Sequence, residues 1–498
     1  MPQLSKLLRS RDQWRTKAVR RATENREYKK ADKRNREQLI ALKKQNEDLR
    51  LMVEDLKQKQ MTTAPSSVIE IGEAREVRIL CILLVIEAVV SYRSIPRILD
   101  LFRTNTALGL GWVPHFTSVI NWTLRLGLGL LKQVKPISQA WLAIVDHSID
   151  IGTKKALVVL RVRVDALATR AGAIQLQDCE CIGLKVCEKV NGESIALDLN
   201  AIFTQAGKPL AIISDGDYTL RKGVRLYSKK QTVTIPAIED IGHVMANALK
   251  SQFEKTAPYK RFTAVIAQGA KCLRQTDMAF LIPPKLRSKG RFQSISTLGK
   301  WGSKMLDVFA IKGRAKKGSL LARLRTALPG FLKLKPFIQQ FASTTKVVSE
   351  VMEVLKNRGL NQTSYEQCHQ LAKELPQNSK VTIRLQSWLQ KHLEFQKKLL
   401  GPGQPLLVSS DIIESLFGNF KHIIERSPQA DMNRTTLLIP ALCGHLNEII
   451  ITQALNNARH NDLSDWEKEN IPYTVRKKRQ AFFGETESQK PGIANSKY

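Results

Sequence analysis

Acidic residues are scarce in this chain. Among 498 residues, 45 Asp and Glu stand against 79 Lys and Arg, a formal net charge of +34. Such a deficit of negative charge points to a polyanionic partner. Basic residues are spread over the whole length instead of flanking one anchor, so nucleic acid is expected and a membrane surface is not. Long hydrophobic runs are missing too. The longest, Ile79 to Tyr92, is too short to cross a bilayer and carries Glu87, which predicts a buried helix. No secretory signal is read at the start, because Met1 to Arg36 is charged almost throughout, and a cytoplasmic protein is expected. Cysteine is sparse: Cys179, Cys181 and Cys187 alternate along an expected strand without paired CxxC spacing, which favours free thiols over zinc.

The length exceeds one hydrophobic core, and two to four domains are expected. Residues 1–60 read as a basic helix running into a short coiled coil. Leu39, Leu42, Asn46, Leu49, Val53 and Leu56 fall at alternating spacings of three and four, an a/d seam in which Asn46 at an a position fixes register. A homodimer or higher assembly follows as an expectation. The layout resembles leucine-zipper DNA-binding proteins. Met61 to Ser67 is a linker by composition.

Residues 68–135 form a helical, helix-turn-helix-like segment with expected helices over Ala74 to Val90, Ser91 to Phe102 and Phe116 to Leu131. The last starts at Thr117 or Ser118 and turns Ile120, Leu124 and Leu126 inward and Arg125 outward, toward DNA. From residue 136 the pattern changes to strands, and 136–270 is the first part of an α/β core. Residues 271–400 are basic, helical and punctuated by Pro and Gly, a helical insertion. Residues 401–466 return to the core, and 467–498 form a polar tail, disordered at its end.

Within the core, the apolar run Leu142 to Val145 delivers Asp146, Gly152 to Lys154 make a turn, and a second strand runs back. Leu210 to Ser214 is another buried strand and ends in Asp215. Val233 to Pro236 is a short further strand, and a helix over Glu239 to Phe253 carries Asp240 and His243. Asp411 to Ile424 is an amphipathic helix with Ile413, Leu416, Phe417 and Phe420 buried and Glu414 outside them, and Lys421 two turns along the same face. Carboxylates beside so apolar a strand need a cation, a hydrogen-bond network or water. Two Asp at strand ends and a Glu on a helix suit two divalent cations about 4 Å apart, which take hard oxygen ligands. Asp150 and Asp217 compete with the chosen aspartates. Asp411 competes with Glu414 but also reads as the N-cap of its helix.

In IVDHSIDIG, IISDGDYTLRKG and SSDIIESLFGNFK the chain resembles DDE-type DNA transposases of the RNase H-like, retroviral-integrase superfamily. Asp240-x-x-His243 is similar to the Asp/Cys-x-x-His element of several transposase groups. Glu414-x6-Lys421 resembles the spacing in bacterial insertion-sequence enzymes with a Tyr-Arg-Glu-Lys signature, although Leu407 and Ser410 stand where that signature has Tyr and Arg. The resemblance implies a mixed five-stranded sheet with flanking helices, interrupted by the helical insertion. It implies cleavage at transposon ends and attack of the 3′-hydroxyl on target DNA, in a nucleoid-associated protein acting on double-stranded DNA. Asp146, Asp215 and Glu414 would hold two Mg²⁺ ions, with Mn²⁺ as a substitute. Lys421 would contact a phosphate, and Asp240 and His243 would buttress the sheet or approach the scissile strand. Trp301 would stack on an unpaired base or simply pack, and the run from Arg314 through Lys316 and Lys317 to Arg325 would follow phosphates. Two other readings stay open: a non-catalytic DNA-binding regulator with a structural acidic cluster, and an RNase H-like structure-specific endonuclease.

Overall fold

A computed structural model describes residues 2–62, 74–106, 110, 112–136, 139–151, 154–170, 173–188, 190–285, 292, 295–310, 315–425 and 432–488. Most of the expected linker, the turn at Gly152 and Thr153, Arg314 and the last ten residues lie outside the described residues. So do the side chains of Leu49, Val53, Leu56 and Asp150. The chain divides into two units.

The first unit is built on α1 (Pro2–Thr62), one uninterrupted helix. After Pro2 it contains no Gly or Pro, so nothing breaks its ladder. Charges four apart pair along it, Asp32 with Arg36 at 2.8 Å and Lys33 with Glu37 at 3.9 Å. Leu39, Leu42 and Asn46 of the expected seam are exposed.

The second unit opens with α2 (Ala74–Ile86), α3 (Ser94–Asn105) and α4 (Phe116–Lys132). His115, not Thr117 or Ser118, caps α4. This helix differs from the DNA-reading helix expected from sequence. It is buried on two sides: Leu124 and Leu128 join the core under the sheet, while Leu126 and Leu130 pack with Ile451, Ala454 and Leu455. Gly127 and Gly129 allow the backbone of α4 to approach its neighbours closely. A Cβ on Gly127 would lie 1.6 Å from the Leu437 carbonyl oxygen, and one on Gly129 would lie 1.9 Å from that of Ala454.

The sheet follows: β1 (Trp141–Ile151), β2 (Lys154–Arg163), α5 (Val164–Thr169), β3 (Cys179–Cys187), α6 (Gly192–Ala206), β4 (Ile212–Ser214), α7 (Tyr218–Lys229), β5 (Ala237–Glu239) and α8 (Ile241–Phe253). The fifth strand lies just after the expected Val233 to Pro236. The order is β3-β2-β1-β4-β5; β2 runs antiparallel to both neighbours, and β1, β4 and β5 are parallel. This mixed five-stranded sheet with flanking helices is the RNase H-like arrangement. Alternation along β1 feeds two cores: Leu142 and Ile144 face one, and Trp141, Ala143 and Val145 face the other.

The helical insertion comprises α9 (Ala257–Leu273), α10 (Ser296–Phe309), α11 (Leu320–Ala327), α12 (Lys335–Arg358), α13 (Gln362–Ala372) and α14 (Lys380–Leu399). Thr256 caps α9, and Pro258 sits in its first turn. An aromatic cluster of Phe253, Tyr259, Phe262, Phe337 and Phe341 ties α8 to it. The core resumes with α15 (Asp411–Ile424), α16 (Leu438–Ala441), α17 (Glu448–Asn457), α18 (His460–Asn470) and α19 (Val475–Ser488). Between α16 and α17 the chain turns at Gly444, which takes φ 79°. Among the described residues no helix is long and apolar enough to cross a membrane. All seven cysteines are free thiols.

An exposed sheet edge leaves unpaired backbone groups. Here α14 covers the β5 edge. The Glu239 N–H donates to His392 Nε2 at 3.2 Å, and Trp388 Nε1 donates to the Glu239 carbonyl at 3.0 Å. His392 Nδ1–H donates in turn to the Trp388 carbonyl at 2.8 Å. Burial drives the His392 pKa down to about 4, so the ring stays neutral and keeps its acceptor.

Two outcomes are expected. Gly127→Ala should destabilise the protein by about 2 kcal/mol or more, as read by chemical denaturation, since overlap with a fixed carbonyl exceeds the gain in helix propensity. Because the unfolded His392 takes up a proton near 6.5 and the folded one only near 4, stability should fall as pH drops through that window. His392→Leu should remove that part of the slope at the cost of lower stability at neutral pH.

Candidate active site

Register and alternation bring the acids together. Val145 of β1 stands opposite Ser214 of β4, and Ser214 opposite Glu239 of β5. The next residue on each strand is therefore Asp146, Asp215 and Asp240, a rank of carboxylates across three parallel strands about 4.8 Å apart. Ile144, Ile213 and Ile238, two positions earlier on each, all belong to the core on one side of the sheet. Side chains two apart share a face, so the three acids lie on that side as well. The buried stripe of α15, Ile413, Leu416, Phe417, Phe420 and Ile423, packs into the same core. Glu414 is thereby carried to the sheet face that bears the rank.

Asp240 holds this geometry. It is 2% exposed and caps α8, with Oδ1 accepting from the His243 N–H at 2.7 Å. His243 Nδ1 lies 3.1 Å from the same oxygen. Oδ2 accepts from the Ser410 N–H at 2.6 Å and the Ser410 hydroxyl at 3.1 Å. Ser410 is the N-cap of α15, so one carboxylate fastens the Glu414 helix to the strand end. The Ile241 N–H, donating to the Val408 carbonyl at 3.0 Å, doubles the link.

The charges around it follow. Burial works against the Asp240 carboxylate, but the His243 hydrogen bond and charge and the Ser410 N–H outweigh it and lower its pKa. Burial likewise pushes His243 down, yet Asp240 first, then the charges of Asp215 and Glu414, raise it to about 9. His243 is therefore an imidazolium at neutral pH, set between the acids. Desolvation and the neighbouring Asp411 raise Glu414.

The rival acids have other partners. Asp217 caps α7, accepting from Thr219 and Leu220 N–H at 2.8 and 3.1 Å, and its Oδ1 lies 3.2 Å from Nε2 of the buried His147. Asp411 is not the N-cap expected from sequence. It is the first residue of α15 and pairs with Lys356 of α12. Asp146 is 5% exposed, with Oδ1 accepting the His147 N–H at 2.6 Å, and the β1–β2 register shifts just after it. Asp215 Oδ1 accepts from the Asp217 N–H at 3.0 Å. Glu414 and Lys421 are both exposed on α15.

Other expected contacts fall elsewhere. Arg125 does not point outward. Its Nε donates to the Ala458 carbonyl and an Nη to that of Leu455, both at 2.7 Å, so it satisfies the carbonyl end of α17. Trp301 is packed: Nε1 donates to the Leu281 carbonyl at 3.2 Å and the ring meets Phe331 edge-on. Lys316 and Lys317 are exposed. Sequence reasoning passed over His147, Ser410 and Lys356. Only the adjacency of His147 to Asp146 was there to be seen.

Among the described residues, no three His, Cys, Asp or Glu side chains stand close enough to hold a metal ion. The donor chemistry nonetheless fits a hard divalent cation, since carboxylates on adjacent strands share one sheet face.

Asp240→Asn should cost about 3 kcal/mol, because the amide places a donor against the Ser410 N–H or the His243 ring. The histidine side of the Asp240–His243 pair should contribute fully below about 6.5, the ordinary histidine value, and decline above it. It should be lost as pH rises through about 9, and the aspartate side in acid below the ordinary carboxylate range. Denaturation midpoints across pH for the parent and His243→Gln check both limbs.

No family model matches this chain, and no curated protein matches it. Among solved structures it is similar to the Drosophila P element transposase strand transfer complex, with a TM-score of 0.40 and 10% identity over 78% of this chain and 98% of that one.

Proposed function

We propose that this chain is a DDE-type DNA transposase, which cleaves transposon ends and joins the 3′-hydroxyl to target DNA. The reading is carried by one observation: Asp146, where the register of β1 shifts, and Asp215, just after β4, stand on adjacent parallel strands on the sheet face where α15 brings Glu414. Basic composition and the motif resemblance support it.

Asp146, Asp215 and Glu414 would hold two Mg²⁺ ions, or Mn²⁺ in their place. Bound there, the ions would activate the attacking oxygen and stabilise the leaving one. The chain's own residues do the positioning. Asp240 and Ser410 fix the Glu414 helix, and His243 supplies a fixed positive charge and a donor beside the acids. Lys421, exposed on the Glu414 face, offers a point charge to a phosphate. The exposed Leu39 and Leu42 of α1 support pairing with a second copy through the a/d seam.

Two observations favour a second reading, a non-catalytic DNA-binding regulator: among the described residues the acids do not stand close enough together to hold a metal ion, and a protonated His243 balances them. Cleavage and strand-transfer assays on the full chain separate the two. Asp146→Ala, Asp215→Ala and Glu414→Ala should each lose at least about 10³-fold in Mg²⁺ while remaining folded. Full activity in any variant removes that residue from the site. DNA binding by the parent without cleavage in either metal supports the regulator, and cleavage without joining supports an endonuclease.

A further inference from the structure

A groove of about 1290 Å³ opens beside the rank, lined by Asp215 and His243 at the acids and walled by α7 and α14. Eight Lys and Arg side chains line it against three carboxylates. The cations are ordered. On α14, Lys380, Arg384, Lys391 and Lys398 recur at spacings of four and seven, which keeps them on one face over about 27 Å. On α7, Arg221 and Arg225 repeat every turn on the groove side.

Glu239, at the foot of the groove, shows the excess. Arg384 lies at 3.0 Å, Lys391 at 3.6 Å and Arg221 at 3.9 Å from its carboxylate, three cations on one acid. Arg225 and Lys398 have no carboxylate within ion-pairing distance among the described residues. Aromatic surface is interleaved with the charge: Tyr218 is 72% exposed where α7 starts, three residues after Asp215, and the half-buried Phe395 lines the α14 wall.

We infer that this groove binds an unpaired nucleic-acid strand and leads it to the acids, with phosphates on the two basic stripes and a base stacked on Tyr218. Cations that track a backbone, with exposed rings between them, are the chemistry of single-strand recognition. The volume suits a few nucleotides of one strand and falls far short of a duplex turn. The inference rests on the nucleic-acid reading above but not on catalysis.

Fluorescence anisotropy on the full chain in EDTA tests it, with a short labelled oligonucleotide offered single-stranded or as its duplex. The double variant Arg225→Ala/Lys398→Ala, and separately Tyr218→Ala, should each weaken single-strand binding about tenfold and leave duplex binding within about twofold. The double variant should also flatten the slope of log affinity against log salt by about 1.4, two phosphates at about 0.7 each. Arg225→Lys/Lys398→Arg, which keeps the charges, should restore both, and matched thermal unfolding excludes misfolding. Unchanged single-strand affinity, or equal loss for strand and duplex, would overturn the groove. Absence of cleavage in any metal alongside the expected binding pattern would instead overturn the catalytic reading and leave the groove standing.

Discussion

A buried carboxylate that cannot be left unpaired governs this structure. Asp240 sits where the sheet ends, out of water, and a lone charge there would be costly. It is satisfied by the N–H of His243 in the first turn of α8 and by that of Ser410, the N-cap of α15. Electrostatic necessity thus joins an element before the insertion to one after it. The roughly 150 residues between leave from one partner of this acid and return to the other.

The insertion is nonetheless more than a spacer. Its last helix closes the open sheet edge by giving the two backbone groups of Glu239 side-chain partners in Trp388 and His392. The same Glu239 turns its carboxylate to the cations of α7 and α14. One residue therefore couples edge protection through its backbone with charge ordering through its side chain. A change in α14 would be felt in strand pairing and in the groove together.

Much of this was legible from sequence, for physical reasons. Apolar runs leading into Asp146 and Asp215 mark buried strands, and the stripe around Glu414 marks α15 over Asp411–Ile424. Register was not legible, because it depends on pairing partners far along the chain. Neither was the role of Asp240, which is defined by a backbone N–H 170 residues away. Arg125 misled for a related reason: amphipathic spacing says which side of a helix is polar, but not that two carbonyls at the end of α17 lie on that side. Asp411 followed the common preference for a capping acid, whereas Lys356 and the Asp240–Ser410 contact shift the cap by one residue. Along α1, Leu39 and Leu42 of the expected a/d seam are exposed.

The glycine face of α4 carries a consequence for how the chain is made. Gly127 and Gly129 meet carbonyls at Leu437 and Ala454, and Arg125 reaches a residue 333 positions ahead. During synthesis, then, α4 leaves the ribosome with its closest neighbours not yet translated. Contacts of such sequence separation slow folding. The sheet can pair early, but its second cover arrives last. A nascent chain halted before residue 414 would hold Asp146 and Asp215 on a platform with a bare helix face, sticky and without its third acid.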